Sequence, residues 1–353
     1  MINQDRIIKT FCDIVQIDSP SGEEESMAID VVSRLEAFGF SVTRDAYGNV
    51  IASDGRENPI LLSAHLDTVE PGRGITPIVK GDQIVSDGTT ILGGDCKAGI
   101  VAVFEALESI KEDGLEMRPT ELVFTREEEL GLVGARNLDM SMLKSKEAII
   151  FDGEGPVNQI TSSSPTYIGF DIDIKGRAAH AGAEPEKGLS AIAIAADIIN
   201  QLPQGRLDNN TTFNIGNIEG GSTRNTVPEN TLITGEFRST NLEKLDDLRS
   251  QIDDVINIVQ KKYPEAVFES HLHTSFETYT LEANDPATKT AKTALEKIGL
   301  SPIMKPSGGG TDGNVFRNRG ISSVVVGMAV HGMHTPDGGL AQRSLRTCGR
   351  SLC

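Results

Sequence analysis

PILLSAHLDTV, residues 59–69, combines two signals in one short segment. Apolar residues without polar alternation at 60–62 predict a strand that is buried on both faces, as at the centre of an α/β sheet. His65 and Asp67 follow this apolar run directly. Because α/β proteins place ligand-binding groups at the carboxyl ends of their strands, the segment predicts a central strand that ends in functional side chains.

The flanking segments extend this pattern into a layered domain. SGEEESMAIDVVSRLEAFGF (21–40) predicts a surface helix with Ser21 at its cap, and SVTRD and NVIAS predict strands. After GGDCKAG, a helical pattern (99–111) precedes the strand-like segments ELVFTR and AIIFDGEG. This alternation predicts an α/β domain with further polar side chains at strand ends. Those side chains are Glu128, Glu129 and Asp152.

From about residue 165 apolar and polar residues alternate. YIGFDIDIKG predicts a half-buried antiparallel strand, and a helix, two strands, an amphipathic helix (242–261) and the strand AVFESHLH follow. The order βαββαβ is that of a ferredoxin-like module. ATKTAKTALEKIGL and SSVVVGMAV then resume the first pattern. We therefore predict a mixed-sheet α/β domain, residues 1–164 and 277–353, that holds an inserted ferredoxin-like α+β domain, residues 165–276.

Composition argues against several classes of function. The formal net charge of −18 over 353 residues argues against nucleic acid and anionic membranes as partners, because clustered Lys and Arg bind both. No stretch approaches the ~20 apolar residues of a membrane span, and the N-terminus lacks a secretory-signal pattern. The cysteines lie far apart without CxxC spacing, which predicts neither disulfides nor a thiolate zinc site and favours the cytoplasm. They are Cys12, Cys96, Cys348 and Cys353.

Asp95 lies in the Gly-rich segment LGGDCKAG, ahead of a helix. The segment has neither of the two glycine spacings of phosphate-binding loops, and its carboxylate would repel a phosphate. An anionic side chain in this place indicates a cation instead. Imidazoles from His65 and His334, combined with carboxylates, suit zinc, cobalt or manganese. Taken singly, each histidine has an alternative interpretation, as a structural residue or an exposed loop residue.

Eight motifs follow one another along the chain: SAHLDTV (63–69), GGDCKAG (93–99), TREEELGLVGA (125–135), FDGEG (151–155), GRAAHAG (176–182), RNTVPE (224–229), GGGTDGNVF (308–316) and MHTPD (333–337). In this order they resemble the co-catalytic metallopeptidases and deacylases that include peptidase T, carboxypeptidase G and the aminoacylases. The resemblance covers nearly the whole chain. It implies a zinc-exopeptidase catalytic domain with an inserted lid, or dimerisation, domain.

The resemblance implies two divalent metal ions, with zinc preferred over cobalt or manganese. One ion would be held by His65 and Asp152 and the other by Glu129 and His334. Asp95 would be shared by both ions. A hydroxide between the two ions would attack the amide bond, because metals lower the pKa of bound water to about 7.

The resemblance also assigns two supporting roles near the metals. Glu128 would be the general base, which takes the proton of the attacking water and hands it to the leaving amine. Asp67 would accept the N–H of His65 and so fix its tautomer. Since consecutive residues on a strand point to opposite faces, Glu128 and Glu129 both reach the site only if the chain leaves strand geometry at EEELG.

In the inserted domain the resemblance implies three substrate-binding residues. His180 would polarise the scissile carbonyl, and Asn225 and Arg238 would bind the substrate or its carboxylate, which guanidinium can hold through two parallel hydrogen bonds. In dimeric relatives the lid histidine reaches the partner subunit, so a homodimer is expected. The implied activity is an aminopeptidase for short peptides. Two alternatives stay open: an N-acyl amino acid deacylase and a catalytically silent metal-binding relative.

Two positions depart from the family pattern. Cys96 stands where a second acidic residue commonly follows the shared aspartate. After His334, relatives usually read HTPDE and continue into a closing helix, whereas this chain reads HTPDGGLAQRSLRTCGRSLC. Gly338, Gly339 and Gly349 disfavour a helix by roughly 1 kcal/mol each relative to Ala. We therefore expect a weak or missing closing helix and reduced stability.

Overall fold

The computed structural model describes residues 2–352 and contains two compact units. The first unit extends to Ser163 and resumes at Thr280, and the second is Ser164–Tyr279. The α-helices are α1 (Gln4–Val15), α2 (Glu25–Ala37), α3 (Gly94–Glu112), α4 (Val133–Asn137), α5 (Ala191–Ile199), α6 (Leu242–Lys262), α7 (Pro286–Lys297), α8 (Asp312–Asn318) and α9 (Gln342–Leu352). The strands are β1 (Ser41–Arg44), β2 (Val50–Ser53), β3 (Ile60–His65), β4 (Ile78–Lys80), β5 (Gln83–Val85), β6 (Thr120–Thr125), β7 (Glu147–Gly153), β8 (Gln159–Ser164), β9 (Thr166–Lys175), β10 (Gly205–Arg206), β11 (Thr211–Gly220), β12 (Asn230–Ser239), β13 (Val267–Phe276), β14 (Tyr279–Thr280), β15 (Ile303–Pro306), β16 (Ser322–Gly327), β17 (Val330–His331) and β18 (Gly339–Ala341).

The first unit is built on a nine-stranded mixed sheet, as predicted. Its strands lie in the order β1-β2-β6-β3-β7-β16-β8, with β14 and β15 at the β8 edge. β3 pairs in parallel with β6 and β7, and β7 pairs in parallel with β16. β3, β6 and β16 are buried along nearly their whole length, which explains the continuous apolar runs in the sequence. The carboxyl ends of these four parallel strands therefore meet at one edge of the sheet.

One helix of this unit starts differently from the sequence prediction, and another has a bent start ahead of its predicted helical segment. α2 begins at Glu25, and the residue before it makes no side-chain cap hydrogen bond. Ser21 is therefore not the cap; its hydroxyl donates to the Asp67 carboxylate at 2.7 Å. In α3, Asp95 and Cys96 have non-helical backbone angles, so regular helix begins only after them. The Ser21 hydrogen bond and the bent start of α3 both lie at the edge of the sheet where the parallel strands end.

The second unit has the predicted ferredoxin-like fold. Its five-stranded sheet has the order β10-β11-β12-β9-β13, and all pairs are antiparallel. α5 and α6 pack against this sheet around a core of their own. Three phenylalanines lie at the centre of that core, with ring centroids 5.2–6.4 Å apart. They are Phe170, Phe213 and Phe237.

The expectation of a weak or missing closing helix is wrong. α9 forms, and its Leu345 and Cys348 are fully buried in the core of the first unit. Gly338 and Gly339 lie ahead of the helix, and Gly339 opens β18, which pairs with β5. Only Gly349 lies within it. Packing of an apolar face thus outweighs weak intrinsic helix propensity, as is usual for helices in proteins.

Among the described residues, no helix combines the length and apolar character needed to cross a bilayer. Cys12 and Cys96 are free thiols, and Cys348 is buried in the core of the first unit. Cys353, the fourth cysteine, lies outside the described residues.

Candidate metal centre

Strands of the first unit bring the predicted metal ligands to one edge of the sheet. His65 is the last residue of β3, and Asp152 lies one residue before the end of β7. Residues 128–129 follow β6, and His334 follows β17. Asp95 comes from the bent start of α3. Five segments that are far apart in sequence thus converge on one point.

The inner donor set consists of His65, Asp152 and Asp95. Nε2 of His65 lies 3.2 Å from Oδ1 of Asp95 and 3.5 Å from Oδ1 of Asp152. All three residues are at least nine-tenths buried. Nδ1 of His65 donates to the backbone carbonyl oxygen of Asp67 at 2.9 Å. Because a carbonyl oxygen only accepts hydrogen bonds, the proton lies on Nδ1, and Nε2 is the atom that faces the carboxylates.

The outer donor set consists of His334, Glu129 and again Asp95. Nε2 of His334 lies 3.2 Å from Oδ2 of Asp95 and 3.0 Å from Oε1 of Glu129. The His334 side chain is 53% exposed, against 1% for His65. Asp95 therefore presents one carboxylate oxygen to each set, which is the arrangement of a bridging ligand.

The two donor sets fit two divalent ions. Each set has one imidazole, one carboxylate of its own and one oxygen of Asp95, and the ligand atoms of each set lie within 4.8 Å of one another. Atoms bound to a common zinc ion at about 2.1 Å lie roughly 3–4 Å apart, which matches the distances within each set. Imidazole combined with carboxylate suits zinc, cobalt or manganese better than magnesium or calcium.

Cys96 lies close to the inner set without the properties of a ligand. Its thiol donates to the carbonyl oxygen of Phe151 at 2.8 Å and accepts the backbone N–H of His65 at 3.2 Å. Burial raises the pKa of the thiol well above its usual value, so the sulfur keeps its proton. Cys96, where the family pattern predicts an acidic residue, is thus a buried thiol with two hydrogen bonds.

Asp67 connects the inner set to the segment that carries Glu128. Its Oδ1 lies 3.2 Å from Nδ1 of His65 and accepts the backbone N–H of Glu128 at 3.0 Å. Its Oδ2 accepts the backbone N–H of Glu129 at 3.1 Å and the hydroxyl of Ser21. Sequence reasoning placed Asp67 beside His65 but missed these backbone contacts. These hydrogen bonds hold the predicted base, Glu128, and the predicted outer ligand, Glu129, in position next to the inner donor set.

The chain leaves strand geometry between β6 and α4, as the joint use of Glu128 and Glu129 requires. Glu127 has a positive φ of 48° and Gly131 one of 98°, and the N–H of Gly131 donates to the carbonyl of Glu128. The buried Glu24 accepts the Arg126 guanidinium at 2.8 Å and the N–H of Glu127 at 3.1 Å. This turn is therefore held by hydrogen bonds to Glu24 and to Asp67.

The ionisable groups of this edge have shifted pKa values. Burial raises the pKa of Glu128 well above its usual value, and the negative charge of Asp152 raises it further. Burial also raises the pKa of Asp152. Hydrogen bonds to Asp95 and Glu129 raise the pKa of His334 to about 10. Protons and cations therefore compete for the same atoms.

Asp312 is a further buried acid that sequence reasoning left without a role. It is the first residue of α8 within GGGTDGNVF, and its Oδ2 accepts the hydroxyl of Thr125 at the end of β6. Its Oδ1 is buried and has no hydrogen-bond partner among the described residues. Burial raises the pKa of Asp312 to about 6. The signal available in the sequence was the Thr-Asp pair after three glycines, which favours a helix cap as readily as a functional site.

The three predicted substrate-binding residues of the inserted domain all lie in the second unit. His180 pairs through its backbone with Thr226, and the carbonyl of Asn225 accepts the N–H of Ala181. These contacts place His180 and Asn225 on adjoining segments. Nε of Arg238 lies 3.0 Å from Glu236, and its guanidinium lies over the Tyr167 ring, 4.8 Å from the centroid.

A cavity of about 350 Å³ opens over the metal centre in the first unit. Both donor sets and Glu128 contribute to its wall. The remaining lining residues are Glu154, Ser307, Gly310, Thr311, Gly332, Met333 and Thr335. Most of the residues that line the cavity are polar or charged.

Two peptidase family models and one full-length relative match the chain. Residues 163–264 match the model of the peptidase dimerisation domain M20, and residues 49–163 match that of peptidase family M28. The chain is 35% identical to the uncharacterized protein YqjE of Bacillus subtilis over 95% of this chain and 93% of that protein.

Two solved structures match nearly the full length. A tripeptidase from Staphylococcus aureus has 32% identity and a TM-score of 0.91 over 100% of this chain and 97% of its own. Aminopeptidase PepT from Bacillus cereus has 35% identity and a TM-score of 0.86 over 99% and 97%. The coverage of both matches includes the first and the second unit.

Proposed function

Because the chain belongs to the peptidase T-like metallopeptidases and is a metal-dependent hydrolase, we propose that it is an aminopeptidase that cleaves short peptides such as tripeptides. The observation that carries this proposal is the pair of donor sets that share Asp95, with the Glu128 carboxyl in the same cavity wall. Zinc is the proposed metal in both sets.

When bound, two divalent ions would polarise the scissile carbonyl and lower the pKa of a water molecule next to it. Glu128 takes the proton of that water as it attacks the carbonyl carbon. It then gives the proton to the amine that leaves. A raised pKa makes Glu128 a stronger base than an exposed carboxylate and suits it to both transfers. Asp67 positions Glu128 through its backbone N–H.

Three finer roles accompany this proposal. His180 polarises the substrate carbonyl, and Asn225 and Arg238 bind the substrate or its carboxylate, as in the family that the chain resembles. The match to the dimerisation-domain model supports a homodimer through the second unit, which sedimentation analysis of the purified protein would test. A cytoplasmic location stays a prediction from the sequence.

Hydrolysis of a tripeptide panel and of N-acetyl amino acids, with zinc, cobalt or manganese added, tests the proposal. Glu128→Gln should keep both metals and lose roughly 10²–10⁴-fold in kcat, the usual contribution of a general base. Glu36→Gln, a surface change of the same charge on α2, is the matched control.

Three outcomes would contradict the proposal in different ways. Full turnover in Glu128→Gln would remove Glu128 from the mechanism. Preferential cleavage of N-acetyl amino acids would identify a deacylase. No turnover of any substrate by the metal-loaded protein would identify a silent relative.

A further inference from the structure

Glu154 is a carboxylate of the cavity wall that the proposed mechanism does not use. It follows the end of β7, two residues after the inner ligand Asp152, and its side chain is exposed. Its backbone is held in place: the carbonyl accepts the Gln159 amide at 2.8 Å, and the next residue, Gly155, exchanges hydrogen bonds with residues 329–330. Within the described part of the chain, no ion pair or hydrogen bond engages the Glu154 carboxylate.

The charge of the cavity favours a cationic substrate group. Five carboxylates line the cavity, and no Lys or Arg does so among the described residues. The five carboxylates carry five negative charges and two divalent ions would supply four positive ones, so a net charge of −1 remains in the cavity. The metal sets use three of the carboxylates and the proposed base is the fourth. Glu154 is the fifth carboxylate, and we therefore assign the remaining negative charge to it.

The position of Glu154 suits the amino terminus of a peptide. Asp152 and Glu154 lie two residues apart where β7 ends, and both line the cavity. In an aminopeptidase substrate the α-ammonium lies within one residue of the scissile carbonyl. That group has an unperturbed pKa of about 8 and is charged at neutral pH, whereas an N-acyl group carries no charge.

We infer that Glu154 binds the α-ammonium of the substrate and so selects peptides with a free amino terminus over N-acylated ones. This inference rests on the proposed peptidase function. The ammonium donates a charge-assisted hydrogen bond to the Glu154 carboxylate. The other four carboxylates stay available for metal binding and proton transfer. Glu154 is then the residue that separates an aminopeptidase from a deacylase on the same metal centre.

Kinetics with matched substrates test this assignment. For Glu154→Gln, we expect the ratio of kcat/KM for a free tripeptide to that for its N-acetyl form to fall about tenfold or more, mainly through KM. Glu154→Asp should restore part of the ratio because it restores the charge. Glu36→Gln should leave the ratio unchanged. Metal content by mass spectrometry should stay the same in all variants.

Binding of unreactive probes gives a second readout that does not need turnover. Alanine hydroxamate and N-acetylalanine hydroxamate share the metal-binding hydroxamate group and differ in the free ammonium, so the change in their affinity ratio between variants is the quantity compared. Calorimetry on the zinc-loaded protein should show preference for the free amine in the wild type and in Glu36→Gln, with about tenfold loss in Glu154→Gln. An unchanged preference in Glu154→Gln would overturn the inference. If neither peptide is cleaved while this preference persists and depends on Glu154, the proposed function fails and the inference stands.

Discussion

The inner and outer donor sets use the same residue types but are built differently. His65 ends a central strand, is 1% exposed, and has its tautomer fixed by Asp67. His334 follows a two-residue strand, is 53% exposed, and its ring contacts only Asp95 and Glu129 among the described hydrogen-bond partners. A ligand held by the sheet needs little further ordering when a metal binds, whereas a loop ligand must be ordered. We therefore expect the inner set to bind its ion more tightly.

Removal of the shared ligand should break both sets at once. Asp95→Ala deletes one oxygen from each set, so both ions should bind weakly and kcat/KM should fall by about a thousandfold or more, since metals supply several kcal/mol of transition-state stabilisation. Metal content after dialysis and kcat/KM are the measurements. Retention of two tightly bound metals would show that Asp95 does not bridge.

Asp67→Ala should weaken both sets. The variant removes the carboxylate beside Nδ1 of His65 and the acceptor for the N–H groups of Glu128 and Glu129, whereas the backbone carbonyl that accepts the Nδ1 proton remains. Loss of such a supporting residue typically lowers metal affinity by about 10–100-fold. Competition titration with a chelator would separate the two affinities. Unchanged affinity at the outer site would show that the backbone contact to Glu129 does not support that ligand.

Metal binding at both sets should strengthen as the pH rises, because the pKa of His65 is raised as well as that of His334. His334, with a pKa of about 10, is protonated at neutral pH in the metal-free protein and must lose that proton to bind a metal. Outer-site affinity should therefore rise by about tenfold per pH unit up to about pH 10. Isothermal titration between pH 6 and pH 8 measures this, and a flat profile for the weaker site would contradict it.

The proton on His334 opposes metal binding but stabilises the metal-free fold. The pKa of His334 is raised above its ordinary value of 6.5, so its ion pairs stabilise the folded chain fully below that pH. The contribution is lost as the pH rises through about 10. Because the imidazole is half-exposed, solvent screening keeps this term small.

Much of the fold was predictable because its signals are local. Apolar runs identified β3, β6 and β16, and the change to alternation near residue 165 identified the inserted ferredoxin-like unit. The closing helix was mispredicted since its stability comes from burial of Leu345 and Cys348, which propensity does not register. Ser21 was mispredicted as a cap because its partner, Asp67, is distant in sequence.

The sequence by itself determined the types and order of the candidate ligands and the two-unit architecture, because strand ends, glycines and periodicity are written within a few residues. Only the tertiary structure decided that Asp95 turns one oxygen to each histidine, that Asp67 holds the backbone of Glu128 and Glu129, and that Glu154 has no partner in the cavity wall. These facts depend on distances between segments that meet only when parallel strands align their carboxyl ends.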